Sequence, residues 1–204
     1  MAIAAALGYR PVSSSSTGSA LSTVASSIHV RGLEGGSQLR ETAGSAPDGH
    51  IGALGEADGA VPDGTTVFDD EIPGVANLDA DLLGALRRAA TDAAGDGVEF
   101  HVDSGWRSRA YQEQLLRQAI AKYGSEAEAT RWVATPDTSE HVSGNAVDIG
   151  PSNAATWLSE HGAAYGLCQI YRNEPWHYEM RAEATGHGCP PMYADPTQDP
   201  RMRQ

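Results

Sequence analysis

The sequence predicts an α+β fold. In it, a small, mostly antiparallel sheet carries the site residues on one face and has three or four helices packed on the other face. The first observation is a period-two alternation over residues 98–103, which is typical of a half-buried strand. The second is a pair of late apolar segments, 167–171 and 176–180, whose short connection favours two antiparallel strands. The third is a set of leucines and alanines that recur at helical spacing over residues 82–93.

The chain has 204 residues, which is room for one ordinary domain and a tail. Residues 1–66 are rich in Ser, Gly and Ala and can bury little, so we expect a flexible tail or linker there and a folded domain over residues 67–204. The first eight residues are apolar, but they are few and no Lys or Arg precedes them. They are either the remnant of a signal peptide or part of the tail.

Charge and hydropathy exclude two classes of function. The formal net charge is −13, and nucleic-acid binding requires clustered Lys and Arg, so no nucleic-acid partner is expected. No apolar run approaches the roughly 18 to 20 residues of a membrane span, so the sequence predicts no span in this chain.

Local signals place the helices in order. Residues 77–79 can cap the helix that carries the leucine and alanine face, and Gly95 and Gly97 would end it. A second helix is predicted over residues 108–123. A capping box formed by Ser125 and Glu128 predicts a third over residues 126–133, with Trp132 in the core. Residues 153–165 form the fourth, and residues 190–204 are expected to be an irregular tail.

The strand over residues 98–103 leads into Ser104-Gly105-Trp106-Arg107. Arg107 therefore lies where a strand meets a loop, a common position for a side chain that points into a cleft. The alternative is a solvated arginine, and Arg109 is the weaker candidate. His101 lies on the polar side of the strand among carboxylates, so we expect it at the surface rather than in a metal site.

Residues 139–148 carry half of a metal site. His141 would lie on a loop, Gly144 would allow a sharp turn, and Asp148 would lie on a short buried strand pointing back to the histidine. Catalytic zinc usually has three protein ligands and one open position for water, so a third ligand is needed. The best candidate is His177, within an aromatic segment further along the chain.

Glu174 precedes His177 by three residues, so it could reach a metal-bound water without being a ligand. The chain contains no His-Glu-x-x-His sequence, so the commonest zinc-peptidase motif is absent. Residues 159–162, Ser-Glu-His-Gly, repeat the first three letters of residues 139–148, but they lack the Ala and Asp found there at positions 146 and 148. His161 is therefore interpreted as an ordinary residue in the last turn of a helix.

These residues resemble a known family. The pattern Ser-x-His-x-x-Gly-x-Ala-x-Asp, followed by Glu-x-Trp-His, is similar to that of the zinc D-alanyl-D-alanine carboxypeptidases and dipeptidases, which include the VanY and VanX vancomycin-resistance enzymes. Residues 104–108 look like the upstream arginine motif of that family, and the resemblance covers roughly residues 68–193. The VanY-like branch fits better because of Trp106, Ser108 and Tyr111-Gln112.

The resemblance implies one Zn²⁺ per chain, held by His141, Asp148 and His177, with Glu174 as general base and Arg107 as the cation that stabilises the oxyanion. It implies a carboxypeptidase in which metal-bound water attacks the peptide carbonyl and the terminal D-Ala of peptidoglycan precursor peptides ending in D-Ala-D-Ala is removed. A role in glycopeptide resistance and a role in ordinary wall trimming both remain open.

Three further residues are candidates for substrate contact. Ser139 either donates a hydrogen bond to substrate or orients the loop of His141. Gln112 either reaches substrate or is an exposed helix residue, and Trp176 either contacts substrate or belongs to the strand core. Three alternative functions also remain: a D,D-dipeptidase, a cell-wall endopeptidase of the same superfamily, and a zinc-containing wall-binding module without catalysis.

The chain contains two cysteines, Cys168 and Cys189, on either side of the segment with Glu174 and His177. They suggest one disulfide and therefore an oxidising, extracytoplasmic location. Two unrelated buried thiols are the alternative, and they would favour a cytoplasmic location.

Overall fold

A computed structural model describes residues 54–203, and for Arg203 it describes the backbone alone. The first eight residues and most of the predicted tail therefore lie outside the described residues. Within them, the prediction of an α+β fold is confirmed. Among the described helices, none has the length and apolar composition needed to cross a bilayer.

A four-stranded antiparallel sheet forms the centre of the domain, in the order β1-β2-β4-β3. The strands are β1 (His101–Ser104), β2 (Ala146–Gly150), β3 (Leu167–Gln169) and β4 (His177–Met180). In the two central strands Asp148 is paired with His177, which places these side chains next to each other on one face.

Six α-helices and four short 3-10 helices complete the described part of the chain. The α-helices are α1 (Pro73–Ala76), α2 (Ala80–Gly95), α3 (Arg109–Tyr123), α4 (Glu126–Ala129), α5 (Ser152–His161) and α6 (Ala184–His187). Short 3-10 helices lie at Glu56–Asp58, Gly162–Tyr165, Pro196–Gln198 and Pro200–Arg203. The long helix α2 begins as its sequence predicts, because the Asp79 carboxylate accepts hydrogen bonds from the backbone N–H groups of Asp81 and Leu82.

The main core lies between α2, α5 and the sheet. Helix α2 contributes the predicted leucine and alanine face, with Leu82, Ala85, Leu86 and Ala89 fully buried. Burying each leucine there contributes about 1.5–3 kcal/mol relative to leaving it exposed. This packing leaves the opposite face of β2 and β4 free to carry polar groups.

The first strand is shorter than predicted. It begins at His101, which pairs with Gly150, the last residue of β2. Residues 98–100 would need a partner beyond Gly150, but Pro151 has no N–H and α5 begins directly after it. The alternation itself is preserved, since Phe100 and Val102 are buried and His101 is partly exposed beside Glu99.

Residues 55–66 pack on the domain, although the sequence analysis assigned them to the tail. The carbonyl of Thr65 accepts a hydrogen bond from the N–H of Val102, and the carbonyl of Asp58 accepts one from the N–H of Ser108. The packed part of the chain therefore begins before the boundary predicted at residue 67. Backbone hydrogen bonds hold this segment, so its Gly-rich and Ala-rich composition does not reveal it.

The third helix and its tryptophan differ from the prediction. Helix α4 ends at Ala129, four residues before the predicted end. Trp132 lies in the turns that follow and is 41% exposed, so the prediction that it is a core residue is wrong. Its ring stacks on Tyr123, with ring centroids 6.0 Å apart and planes 10° apart, and its edge lines the cavity described below.

The C-terminal residues also differ from the predicted irregular tail. Tyr193 forms a bridge to Tyr171, and the side chain of Asp199 is completely buried. Asp199 accepts hydrogen bonds from the hydroxyl of Tyr171 and from the guanidinium of Arg201. The contact of Tyr171 with Asp199 joins residues 28 positions apart and follows no periodic pattern, so sequence analysis did not find it.

Cys168 and Cys189 form a disulfide, as predicted. It joins β3 to the residues after α6 and closes a loop with a sequence separation of 21. A loop of this size contributes about 3 kcal/mol in the chain-entropy estimate.

We therefore expect reduction to lower the melting temperature by roughly 6–12 °C, from the entropy of unfolding of a domain of this size. Calorimetry of the oxidised and the reduced, alkylated protein measures the difference. Equal melting temperatures would contradict a stabilising role.

Candidate metal centre

Three side chains converge on one point of the sheet. The Nδ1 atom of His177 lies 3.1 Å from Oδ1 of Asp148 and 3.3 Å from Nε2 of His141. The third side of the triangle, from His141 Nε2 to Asp148 Oδ1, is 3.4 Å. The structure thus brings together all three residues that the sequence analysis proposed as ligands.

The backbone explains this convergence. Asp148 and His177 are paired across β2 and β4, and His141 lies on the loop before β2. That loop turns at Gly144, which has φ +76°, and an added Cβ there would lie 2.5 Å from the carbonyl oxygen of Asn77. A larger residue would be strained and would clash, so the loop of His141 needs glycine here, as predicted.

Each of the two histidines also has a hydrogen-bond partner on the ring nitrogen that faces away from the triangle. The carbonyl of Gly105 lies 2.8 Å from His141 Nδ1, and since a carbonyl only accepts, Nδ1 must carry the hydrogen. The Nε2 lone pair of His141 then points to the centre. Oε1 of Glu179 lies 3.3 Å from His177 Nε2 and can hold the other imidazole in the same manner.

These donors fit zinc. Two imidazole nitrogens and one carboxylate oxygen, buried and close together, suit zinc with one position left open. The fit rests on the donor set and on the outer partners that direct the His141 and His177 nitrogens inward.

Glu174 lies beside this triangle in the turn before β4. Its Oε2 is 3.8 Å from His177 Nδ1. Its Oε1 is buried and has no hydrogen-bond partner among the described residues. Burial raises the pKa of the Glu174 carboxyl to about 7, with the neighbouring Asp148 carboxylate raising it further and His177 and Arg107 opposing the rise. A carboxyl tuned in this way suits proton transfer near neutral pH.

Arg107 points into the site rather than into solvent. Its guanidinium donates to Asp148 Oδ2 at 3.0 Å, to Gln112 Oε1 at 3.0 Å and to Ser104 Oγ at 2.8 Å. Arg109, the weaker candidate, is 62% exposed and pairs with Asp137 outside the cavity. The structure therefore favours Arg107 as the cation of the site.

The remaining predicted residues line the same cavity. The hydroxyl of Ser139 is buried without a partner among the described residues, so it is free to bond a ligand. Gln112 is buried, and its amide N–H group donates to the carbonyl of Ala134 while its carbonyl accepts from Arg107. Gln112 is thus a buried hydrogen-bond partner of Arg107 and not an exposed helix residue. Trp176 is 40% exposed at the cavity wall.

Sequence reasoning missed three groups of this site. Glu179 follows His177 by two residues, so period-two alternation could have placed both on one strand face. The Tyr171 ring lies 5.2 Å from the His177 ring. Pro196 and Met202 line the cavity from the C-terminal segment, and no local signal indicates this.

Metal binding at this centre should release protons. Without metal, burial opposes the charge of His177, but hydrogen bonds to the Asp148 and Glu179 carboxylates raise its pKa to about 10. Burial and the nearby Arg107 lower the pKa of His141, so that ring is neutral. Because zinc must displace the proton from His177 Nδ1, affinity should fall as pH falls.

We expect at least one proton to be released per zinc at pH 7. Calorimetric titrations in buffers of different ionisation enthalpy measure this number. Binding enthalpies that are the same in every buffer would contradict a protonated His177 in the metal-free protein.

A family profile and a curated relative both match this chain, and both are D-alanyl-D-alanine carboxypeptidases. The sequence profile of VanY, D-alanyl-D-alanine carboxypeptidase, matches residues 75–183. A D-alanyl-D-alanine carboxypeptidase from Enterococcus faecalis (strain ATCC 700802 / V583) is 31% identical over 139 residues, covering 54% of this chain and 52% of the relative. The chain therefore spans about half the length of that curated relative.

The chain is also similar to solved structures of carboxypeptidases. The structure of VanYB in complex with D-alanine-D-alanine is 30% identical with a TM-score of 0.50, covering 53% of this chain and 75% of that one. The LdcB LD-carboxypeptidase structure is 24% identical with a TM-score of 0.50, covering 65% and 72% of the two chains. The second likeness concerns the fold alone.

Proposed function

The chain belongs to the VanY family of D-alanyl-D-alanine carboxypeptidases, and we propose that it is a zinc peptidase that removes the terminal D-Ala from peptidoglycan precursor peptides. The observation that carries the proposal is the triangle of His141, Asp148 and His177 beside a buried Glu174 whose Oε1 has no partner among the described residues. A ligand set and a tuned base in one cavity are the parts that metal-assisted hydrolysis requires.

When bound, the zinc ion would polarise a water molecule and lower its pKa to around 7. Glu174 would take the proton of that water on its partnerless Oε1 and later deliver it to the leaving amine. Burial raises the pKa of this carboxyl in the metal-free protein, which favours its acceptance of a proton. The buried position excludes bulk water, which strengthens the interaction between this carboxylate and the reacting proton.

Arg107 would stabilise the negative charge that develops on the substrate carbonyl oxygen. Its contacts with Asp148 and Gln112 fix the guanidinium at the cavity wall before substrate arrives. Ser139 would bond the substrate backbone through its free hydroxyl, and the exposed face of Trp176 would contact the substrate from the cavity wall.

We expect Arg107→Ala to lower kcat by about 10²- to 10³-fold, the loss typical of one oxyanion donor. Zinc content measured at saturating zinc should change little, because His141, Asp148 and His177 remain, although loss of the Arg107 contact with Asp148 should weaken zinc affinity. Steady-state kinetics and metal analysis of the same preparation measure both. The matched control is Arg109→Ala, which removes an exposed arginine two residues away. A kcat close to that of the unchanged protein would remove Arg107 from the mechanism.

A substrate ending in D-Ala-D-Ala is supported by the family and by the D-alanine-D-alanine bound to the related VanYB. The disulfide supports the proposal of an extracytoplasmic location, where wall precursors are exposed and thiols oxidise. An intact Glu174 and Arg107 count against a wall-binding module without catalysis.

The test is incubation of the purified protein with a stem pentapeptide ending in D-Ala-D-Ala, with mass analysis of the products, with and without a zinc chelator. Release of single D-Ala that stops with chelator and resumes with zinc supports the proposal. Cleavage of free D-Ala-D-Ala would indicate a dipeptidase, and cleavage inside wall polymer an endopeptidase. No hydrolysis by zinc-loaded protein would leave the wall-binding module.

A further inference from the structure

The C-terminal segment, residues 195–202, reaches the metal centre although it lies outside the residues that match the family. Its anchors are Asp195 and Asp199, both buried, and Arg201, whose side chain is one third exposed. Pro196 and Met202 of this segment form part of the cavity wall. The segment therefore lies at the site, and Arg201 connects it to the candidate metal ligands.

Arg201 binds the carboxylate that holds one ligand. Its Nη1 lies 2.8 Å from Oε2 of Glu179 and its Nη2 lies 3.2 Å from Oε1. This is the two-oxygen geometry that a guanidinium forms with a carboxylate. The same Oε1 of Glu179 lies 3.3 Å from Nε2 of His177. A direct chain of contacts therefore runs from Arg201 through Glu179 to His177.

Arg201 also reaches the loop of another ligand. Its Nη1 donates to Oε1 of Glu140 at 2.6 Å, and Glu140 directly precedes His141. The other oxygen of Glu140 accepts a hydrogen bond from the side-chain amide of Asn145 at 3.1 Å. This contact joins the two sides of the loop that carries His141. One guanidinium therefore joins the loop of His141 to the carboxylate behind His177.

Glu179 needs this cation because its side chain is only 1% exposed. When His177 is a neutral ligand, the positive partners left to Glu179 among the described residues are Arg201 and Arg181. Arg181 meets Oε2 alone, whereas Arg201 meets both oxygens. A Glu179 fixed by Arg201 on both oxygens keeps its Oε1 facing the Nε2 of His177, and so holds the ring toward the metal.

We propose that Arg201 is a positioning residue of the metal centre, acting through Glu179 on His177 and through Glu140 on the loop of His141, and that the C-terminal segment is part of the catalytic site. This inference rests on the proposed zinc site.

The test measures zinc affinity rather than activity. Dissociation constants would be obtained by competition with a chromophoric chelator for the unchanged protein, Arg201→Ala, Arg201→Lys and Arg117→Ala. Arg117 is a matched control, since it is 60% exposed and pairs with an exposed Glu113 on α3. Melting temperatures of the metal-free proteins would be recorded beside them.

Removal of a residue that orients a metal ligand typically weakens metal affinity by about 10- to 100-fold, and we expect this for Arg201→Ala. Arg201→Lys should also bind zinc more weakly than the unchanged protein, because one ammonium group cannot meet both oxygens of Glu179. Arg117→Ala should bind zinc as the unchanged protein does.

A lower melting temperature with unchanged zinc affinity in both Arg201 variants would show a merely structural role and overturn the proposal. If Arg201→Ala does not fold, the affinity of Arg201→Lys decides the question in the same way. Failure of the unchanged protein to bind zinc would instead overturn the proposed function on which the inference rests.

Discussion

Replacing Glu174 with glutamine is expected to lower kcat by about 10²- to 10⁴-fold, the contribution typical of a general acid–base residue. Glutamine has nearly the same shape but cannot accept a proton. Zinc should remain bound, because Glu174 lies beside the three ligand atoms and is not one of them. Kinetics on a pentapeptide ending in D-Ala-D-Ala, together with metal analysis, measures both effects.

The pH profile gives an independent check on this role. Because the base must be ionised, kcat/KM of the unchanged protein, measured with enough zinc to keep the site loaded at every pH, should fall as pH drops below the pKa of Glu174. Under the same conditions this acidic limb should be absent from the residual activity of Glu174→Gln. The matched control is Glu160→Gln, which changes a glutamate that is 67% exposed on α5. Near-full activity in Glu174→Gln would remove Glu174 as the base.

Much of the site was predictable because its key residues lie in short local patterns. His141 and Asp148 are seven residues apart with a glycine between them, and the required turn at Gly144 is a property of the backbone itself. Glu174 and His177 share one turn and strand start, so their relative positions follow from sequence spacing. The antiparallel pairing of β2 with β4, which brings the two segments together, was not predicted, because β2 is buried at every position and shows no alternation.

The parts that sequence analysis missed depend on contacts between distant residues. Arg201 meets Glu140 across 61 positions, and no period or motif indicates such a pair. Trp132 was placed in the core on hydrophobicity alone, but the early end of α4 turns its ring onto Tyr123 at the cavity wall. Gln112 is typical of an exposed helix position, yet the guanidinium of Arg107 points into the cavity and gives Gln112 a partner there.

Replacing His177 with alanine is expected to abolish both zinc binding and hydrolysis. Two donors, His141 and Asp148, would remain, and zinc sites of this class use three protein ligands. Affinity should therefore fall by more than the roughly 100-fold that loss of an outer partner can cause. The protein should still fold, since Asp148 keeps its ion pair with Arg107 and Glu179 keeps Arg201.

The sequence supplies its own control for this substitution. His161 occupies the repeated Ser-Glu-His letters on α5, is 51% exposed, and lies outside the ligand triangle. His161→Ala should therefore retain zinc and activity, whereas His177→Ala should show the turnover of chelator-treated protein even when zinc is supplied in moderate excess. Folding is checked by the melting temperature of both metal-free variants. Zinc affinity in His177→Ala equal to that of the unchanged protein would exclude His177 as a ligand, and the triangle of donor atoms would then have to be explained as a buried charge network instead.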